Sequence, residues 1–198
     1  MINQVLPRSC RSVRCGEPRC NAFTLIELVL VVGIMIVLAG LVLSTVGYAR
    51  KKGARARAET EIAAMSAALE NYKADNAAYP ANLDTNALNA QTSVDPSSYQ
   101  AASLYLYNAL FGATAGSRTP NTGARSYFVF KPNMLFPADQ TQTVQYIQDP
   151  FGNSYGYSTI DNPVANPNPT PGYNPTFDLW STGGGTTTND VPKWIENW

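Results

Sequence analysis

A single apolar run near the start of the chain is the strongest pattern in the sequence. Between Phe23 and Tyr48 the only charged side chain is Glu27. As an α-helix this segment is ~39 Å long at ~1.5 Å per residue, which exceeds the ~30 Å hydrocarbon layer of a bilayer. A helix also satisfies its own backbone hydrogen bonds in lipid. The pattern therefore predicts a membrane-spanning helix over residues 23–48.

The helical pattern continues beyond the apolar run, to about Asn76. Residues 54–73 are rich in Ala, Glu, Lys and Arg and contain neither Pro nor Gly, which favours helix. The helix ends before Tyr79-Pro80, because proline disfavours the helical conformation of the residue before it. We therefore expect residues 49–78 to form an amphipathic continuation of the same helix.

One face of this continuation is apolar and the other is charged. The apolar residues follow helical spacing and predict a buried stripe: Ile62, Met65, Leu69 and Tyr72. Arg55–Glu59 and Arg57–Glu61 are opposite charges four residues apart, and we expect both pairs on the solvated side. The basic residues between 50 and 57 are expected to contact anionic headgroups or acidic residues of a neighbouring subunit.

Residues 79–198 show the pattern of a small α+β domain. A polar loop over 81–94 leads to Asp95-Pro96, which begins a helix that Gly112 ends. Short β-rich runs then alternate with turn residues, over 127–130, 144–147, 154–160 and 177–181. The predicted fold class is α+β, with the long N-terminal helix packed on a small antiparallel β-sheet head.

Residues 1–22 form a short basic leader with four Arg and one Glu, a net charge of +3. Such a segment is typical of the cytoplasmic side of a membrane. However, five basic residues follow the apolar run directly, so charge alone does not choose an orientation. The leader also holds all three cysteines: Cys10, Cys15 and Cys20. Because the chain has no His and no fourth Cys, a tetrahedral zinc site here requires an outside ligand.

The composition favours a structural protein over an enzyme. The chain has no His for acid–base chemistry, and no Ser or Cys has a recognisable base. The leader holds four of the 14 Lys and Arg and one of the 14 Asp and Glu. The remainder thus has 10 basic and 13 acidic residues, and its net charge of −3 argues against a nucleic-acid partner.

The junction between leader and apolar run resembles a known processing signal. Ala22-Phe23-Thr24-Leu25-Ile26-Glu27, followed by about twenty apolar residues, resembles the class III signal of type IV pilins and type II secretion pseudopilins. In that family a membrane peptidase cuts before the Phe and N-methylates it. The resemblance implies cleavage between Ala22 and Phe23, which leaves 176 of the 198 residues. The family usually has Gly where this chain has Ala22.

The same resemblance gives Glu27 a role in assembly. In the family, the equivalent carboxylate pairs with the new α-amino group of a neighbouring subunit. Removing one partner of a buried ion pair typically costs ~3–5 kcal/mol, so such a pair favours one axial register between helices. The alternative is a glutamate that extends towards the headgroups from near the start of the helix.

Segments of the head also resemble major pseudopilins of type II secretion systems. They are DPFGNSYGY at 149–157, FDLWSTGG at 177–184 and WIENW at 194–198. The resemblance implies a single-pass inner-membrane protein with a cytoplasmic N-terminus and a periplasmic head. Its partners would be copies of itself, minor pseudopilins and an inner-membrane assembly platform. The filament would drive protein export across the outer membrane.

Two alternatives remain open. One is a type IV pilin for adhesion, motility or DNA uptake, although residues 23–198 lack the C-terminal cysteine pair common in those pilins. The other belongs to a different class, a signal-anchored periplasmic module that binds carbohydrate or calcium. An intact leader in the cell would favour the module.

Many major pseudopilins bind one calcium ion in the loop that corresponds to residues 183–190. The resemblance gives three candidate ligands here: Asp178, Ser181 and Asp190. Gly185 stands about where the family has an Asp, and Trp194 replaces an acidic residue. Since calcium prefers six to eight oxygen ligands with several carboxylates, the alternative is a Gly/Thr surface loop held by tryptophan packing.

Overall fold

The computed structural model describes residues 23–198, and its longest element is one N-terminal helix. Helix α1 covers Leu25–Asn76, 52 residues without a break. The helix predicted from Phe23 to about Asn76 is therefore confirmed in its extent. The chain divides between Val46 and Gly47 into two compact units, and each is described by itself.

The first unit contains the apolar part of α1, up to Val46. Its large apolar side chains from Phe23 to Leu43 are all exposed, with 46–85% of their surface accessible. By length and composition α1 can cross a membrane. An apolar surface of this extent is unfavourable in water, so this part of the chain needs lipid or protein around it.

The second unit, Gly47–Trp198, contains the rest of α1 and the head. The predicted apolar stripe of α1 lies in the core here, since Ile62, Met65 and Leu69 are buried. Tyr72, at the end of the stripe, is half-buried, and its ring packs 5.1 Å from that of Tyr127. In this half of the helix, the head therefore covers the apolar face.

Two shorter helices follow α1. Helix α2 covers Leu83–Ala87, inside the segment predicted as a polar loop, and that prediction was wrong. Asn82 and Thr85 form a capping box, in which each side chain accepts a hydrogen bond from the other's backbone N–H. This reciprocal capping lets a single helical turn form in a polar sequence.

Helix α3 covers Gln100–Phe111 and follows a 3₁₀ turn at Pro96–Tyr99. Asp95 caps that turn by accepting a hydrogen bond from the backbone N–H of Ser97 (2.9 Å). Gly112 ends α3 in the left-handed conformation, with a φ of 76°. Both predicted boundaries of this helical segment are confirmed.

Within residues 23–198, five short strands form two antiparallel sheets. The first sheet pairs β1 (Leu135–Phe136) with β2 (Tyr146–Ile147). The second sheet contains β3 (Gly156–Ser158), β4 (Asp178–Ser181) and β5 (Ile195–Glu196), and β4 lies in the middle. Strands β2, β3 and β4 lie within predicted runs, so an α+β fold with small antiparallel sheets is confirmed. A Cβ atom on Gly156 would lie 2.2 Å from the Trp180 ring, which explains the glycine in β3.

The strand predicted over 127–130 does not form. The backbone N–H groups of Tyr127 and Phe128 both donate to the carbonyl of Leu110 (2.7 and 3.1 Å), near the end of α3. The segment is therefore bound to a helix end, and its aromatic side chains pack into the core from there. Its β-rich composition reflects burial of aromatic rings.

Glu61 is buried, which corrects the expectation that it faces solvent. Its carboxylate accepts hydrogen bonds from Arg57 Nε (2.6 Å) and from the hydroxyl of Tyr155 (2.8 Å). Burial and the charge of Glu61 raise the pKa of Tyr155 well above its usual value, so this hydroxyl remains a donor. The Arg55–Glu59 pair does lie at the surface, at 3.2 Å. The Glu61 contacts connect α1 to the segment just before β3.

We predict that Tyr155→Phe lowers the free energy of unfolding of the head by about 1–3 kcal/mol, because one oxygen of a buried carboxylate loses its donor. Tryptophan fluorescence of the full chain in detergent measures this, since all three tryptophans lie in the head. The control is Asp75→Asn, which removes an exposed pair with Arg125 and should change stability by less than about 1 kcal/mol. Equal unfolding curves for the two variants would contradict the role of Tyr155.

Candidate functional sites

The start of α1 is organised by Thr24 and Glu27. The carboxylate of Glu27 accepts hydrogen bonds from the backbone N–H of Thr24 (3.0 Å) and from its hydroxyl (2.9 Å). The hydroxyl of Thr24 in turn accepts one from the backbone N–H of Glu27 (3.3 Å). This is a capping box, which satisfies backbone donors at the helix start. Its signature, Thr-x-x-Glu, is present in the sequence, but our sequence analysis missed this role.

The capping box holds the carboxylate of Glu27 close to the end of the chain implied by cleavage. Phe23, where that chain would begin, is 85% exposed and lies directly before Thr24. Ala22, the other residue of the predicted cleavage site, lies outside the described residues. An acid and a new amine would therefore lie at the same end of an exposed apolar helix.

Asp178 holds a loop of the head. Its two carboxylate oxygens accept hydrogen bonds from the backbone N–H groups of Tyr173 (3.1 Å) and Asn174 (2.8 Å). Burial raises the pKa of Asp178, although these hydrogen bonds act in the opposite direction. The carboxylate thus binds the chain just before β4 to β4 itself, which is a structural role.

Asp190 and Ser181 have other partners. Asp190 accepts hydrogen bonds from the hydroxyl of Thr187 (2.7 Å) and the ammonium of Lys193 (2.9 Å). These two contacts hold the pKa of Asp190 low, at about 2. The hydroxyl of Ser181 donates to the buried carboxylate of Asp149, a residue that the sequence analysis did not select.

The three calcium candidates are therefore not assembled as one ligand set. Asp178 binds backbone donors, Ser181 binds Asp149, and Asp190 already pairs with a cation. In the part of the chain that the structure describes, no group of three or more His, Cys, Asp or Glu is arranged to hold a metal. The donor set does not fit the six to eight oxygens that calcium prefers. Nearby, Trp194 is buried and stacks on Trp180, with ring centroids 6.0 Å apart.

Comparison of the chain with models of protein families, with curated protein sequences and with solved structures gave no match.

We predict that calcium leaves the stability of the head unchanged. Thermal unfolding of the full chain, followed by tryptophan fluorescence, should shift by less than about 1 °C between millimolar calcium and a chelator, since a ligand stabilises only a state that binds it. Asp190→Ala serves as the matched variant. A calcium-dependent rise in the melting temperature that Asp190→Ala abolishes would contradict this prediction and restore the expected site.

The buried carboxylates also predict a pH dependence. Burial raises the pKa of Asp149 and of Asp178 above the usual value of 3.8. Between 3.8 and the raised values the folded state binds more protons than the unfolded state, so these groups make stability fall as the pH rises. The contribution of Asp190 has the opposite sign, and is lost as the pH falls through about 2.

We therefore expect Asp149 and Asp178 to raise the melting temperature of the head as the pH is lowered from neutral towards 3.8. Asp149→Asn removes one of the two groups, and its profile should be flatter over the same range. Melting temperatures at half-unit pH steps measure both profiles. A wild-type melting temperature that falls steadily as the pH is lowered over this range, or an equally steep profile in the variant, would refute this assignment.

Proposed function

We propose that this protein is a pilin-like subunit that polymerises through α1, and specifically a pseudopilin of a type II secretion system. One observation carries the proposal: α1 exposes an apolar surface from Phe23 to Leu43 in which Glu27 is the only charged residue. A membrane can cover this surface before assembly, and the same surface on other copies can cover it afterwards. A helix that uses both environments suits a filament subunit stored in a membrane.

Glu27 would set the register of the filament. Once a peptidase cuts between Ala22 and Phe23, the chain gains an α-amino group next to Thr24. In an apolar filament core this amine and the Glu27 carboxylate of another copy attract strongly, because little solvent screens them. Axial shifts that separate the charges leave both buried without a partner, so one register is favoured. Before assembly, the hydrogen bonds from Thr24 keep the carboxylate oriented at the start of the helix.

The head would provide the outer surface of the filament. The half of α1 after Gly47 is part of the head's core through Ile62, Met65 and Leu69. Force applied to this half of the helix would thus reach the head through packed side chains. This supports a subunit that moves as a piston element, with the energy source in an inner-membrane assembly platform.

The proposed life history of the chain has three steps. It is inserted with its N-terminus in the cytoplasm and its head in the periplasm, and prepilin peptidase removes residues 1–22 and methylates Phe23. It then joins other copies and minor pseudopilins in a periplasmic filament. No step needs catalysis by this chain, a cofactor or a nucleic acid.

We predict that Glu27→Ala still inserts into the membrane but enters filaments at least about tenfold less than the wild type, because the buried amine loses its partner. Membrane fractionation measures insertion, and sedimentation of sheared filaments measures assembly. Glu59→Gln is the control, because it removes an acid from the exposed side of the same helix. Mass spectrometry should show that all three chains begin at a methylated Phe23. Normal assembly of a processed Glu27→Ala chain would refute the role of Glu27.

A further inference from the structure

A cleft lies beside the C-terminal loop of the head, within the second unit. Its volume is about 620 Å³. The lining contains three basic side chains, Lys51, Arg55 and Lys193, one acid, Asp190, and the backbone of residues 183–185. This is the loop where the family resemblance implies a cation, but three of the four charged residues around it are positive.

Two acids near the cleft are already paired, and a third, Glu196, lies within electrostatic range of Arg55. Asp190 bonds to Lys193 at 2.9 Å, and Glu59, outside the lining, pairs with Arg55 at 3.2 Å. The guanidinium of Arg55 also donates to the carbonyls of Lys193 (2.7 Å) and Trp194 (3.2 Å), which fixes the loop against α1. Lys51 has no acidic partner among the described residues, so an anion in the cleft meets an unpaired ammonium.

One side of the cleft is formed by the glycine loop, residues 183–185, where no side chains cover the backbone. Gly183 and Gly184 have φ values of +62° and +89°, which other residues adopt only with strain. A Cβ atom on Gly183 would lie 2.9 Å from the carbonyl oxygen of Lys193. Within residues 23–198, the amides of Gly184 and Thr186 have no hydrogen-bond acceptor. Backbone donors of this kind suit the oxygens of a phosphate group.

The position of Lys51 along α1 points to the source of the anion. Tyr48 closes the apolar run, and tyrosines are enriched at membrane interfaces. At ~1.5 Å per residue, Lys51 lies ~4.5 Å beyond Tyr48 and Arg55 ~10 Å beyond it. The headgroup layer of a bilayer is roughly 5–7 Å thick on each side. If Tyr48 lies at the edge of the hydrocarbon layer, the basic lining begins at the level of the lipid phosphates.

We propose that this cleft binds the phosphate group of an anionic phospholipid, in the leaflet from which the head emerges. The proposal rests on the proposed membrane span, and does not need filament assembly. Lys51 neutralises the phosphate, Lys193 adds a weaker attraction because it also pairs with Asp190, and the glycine loop donates to the phosphate oxygens. A free phosphate ion shares this chemistry, but the position of Lys51, three residues after Tyr48 in the sequence, favours the lipid.

The test uses native mass spectrometry of the full chain, purified from membranes in detergent. The chain is titrated with phosphatidylglycerol, with phosphatidylcholine, and with phosphatidylglycerol in the presence of inorganic phosphate. We expect phosphatidylglycerol to bind more tightly than phosphatidylcholine. Lys51→Gln should weaken this binding about fivefold, since a lysine near a membrane contributes ~1 kcal/mol. Adding Lys193→Gln should weaken it further, but by less than another fivefold, because Lys193 already pairs with Asp190. Lys131→Gln, outside the cleft, is the matched control and should bind like the wild type.

Several results would overturn the proposal. They are equal binding of the two lipids, unchanged binding in both lysine variants, and displacement of the lipid by equimolar inorganic phosphate. Tryptophan fluorescence checks that the double variant is folded, and the single Lys51→Gln change affects an exposed residue without an acidic partner. The Glu27→Ala chain should bind the lipid normally. If the Glu27→Ala chain loses its preference for phosphatidylglycerol, the anion site requires assembled copies. The lipid proposal then fails, while the proposed function can still hold.

Discussion

The structure depends on the contrast between one carboxylate and the apolar helix that carries it. Glu27 is the only charged residue between Phe23 and Tyr48, and every large apolar side chain from Phe23 to Leu43 is exposed. The apolar surface requires a cover, and lipid or identical helices can provide it. The carboxylate requires a hydrogen-bond donor or a cation. This favours an axial register in which a neighbouring copy places such a group next to Glu27. Together these two demands define the proposed filament.

The head has a different requirement, which is to hold α1 firmly. Ile62, Met65 and Leu69 pack into its core, while Arg55 and Arg57 bond to carbonyls of the chain around residues 133 and 193–194. The basic segment was expected to contact headgroups or another subunit, but these two arginines act within the head. Lys51 remains for an outside anion. The segment after the apolar run thus combines anchoring of the head with the proposed contact to lipid.

Local signals in the sequence predicted much of this fold. The extent of α1, its buried stripe, the Asp95 cap and the Gly112 stop all depend on residues within a few positions of each other. Glu61 was misplaced because its burial depends on Tyr155, 94 residues away, which no helical spacing reveals. The run over 127–130 failed as a strand because its amides bond to the end of α3. Strands β1 and β5 have two residues each and lie outside the predicted runs, whereas β2, which is equally short, lies within the alternating run 144–147.

The candidate sites divide in the same way. The motif from Ala22 to Glu27 is contiguous, and it contains the Thr-x-x-Glu signature of the Thr24–Glu27 capping box. The partners of Asp178, Ser181 and Asp190 come from loops and neighbouring strands, so the hydrogen bonds and the lysine contact that these residues make could not be predicted from the family resemblance that suggested calcium. The most direct test of the account joins Glu27 to the amine of another copy. Filaments of mixed ¹⁴N- and ¹⁵N-labelled chains, treated with a zero-length carbodiimide, should yield an amide between Phe23 of one isotope and Glu27 of the other. Filaments that form without this cross-link, or chains that still begin at Met1, would contradict it.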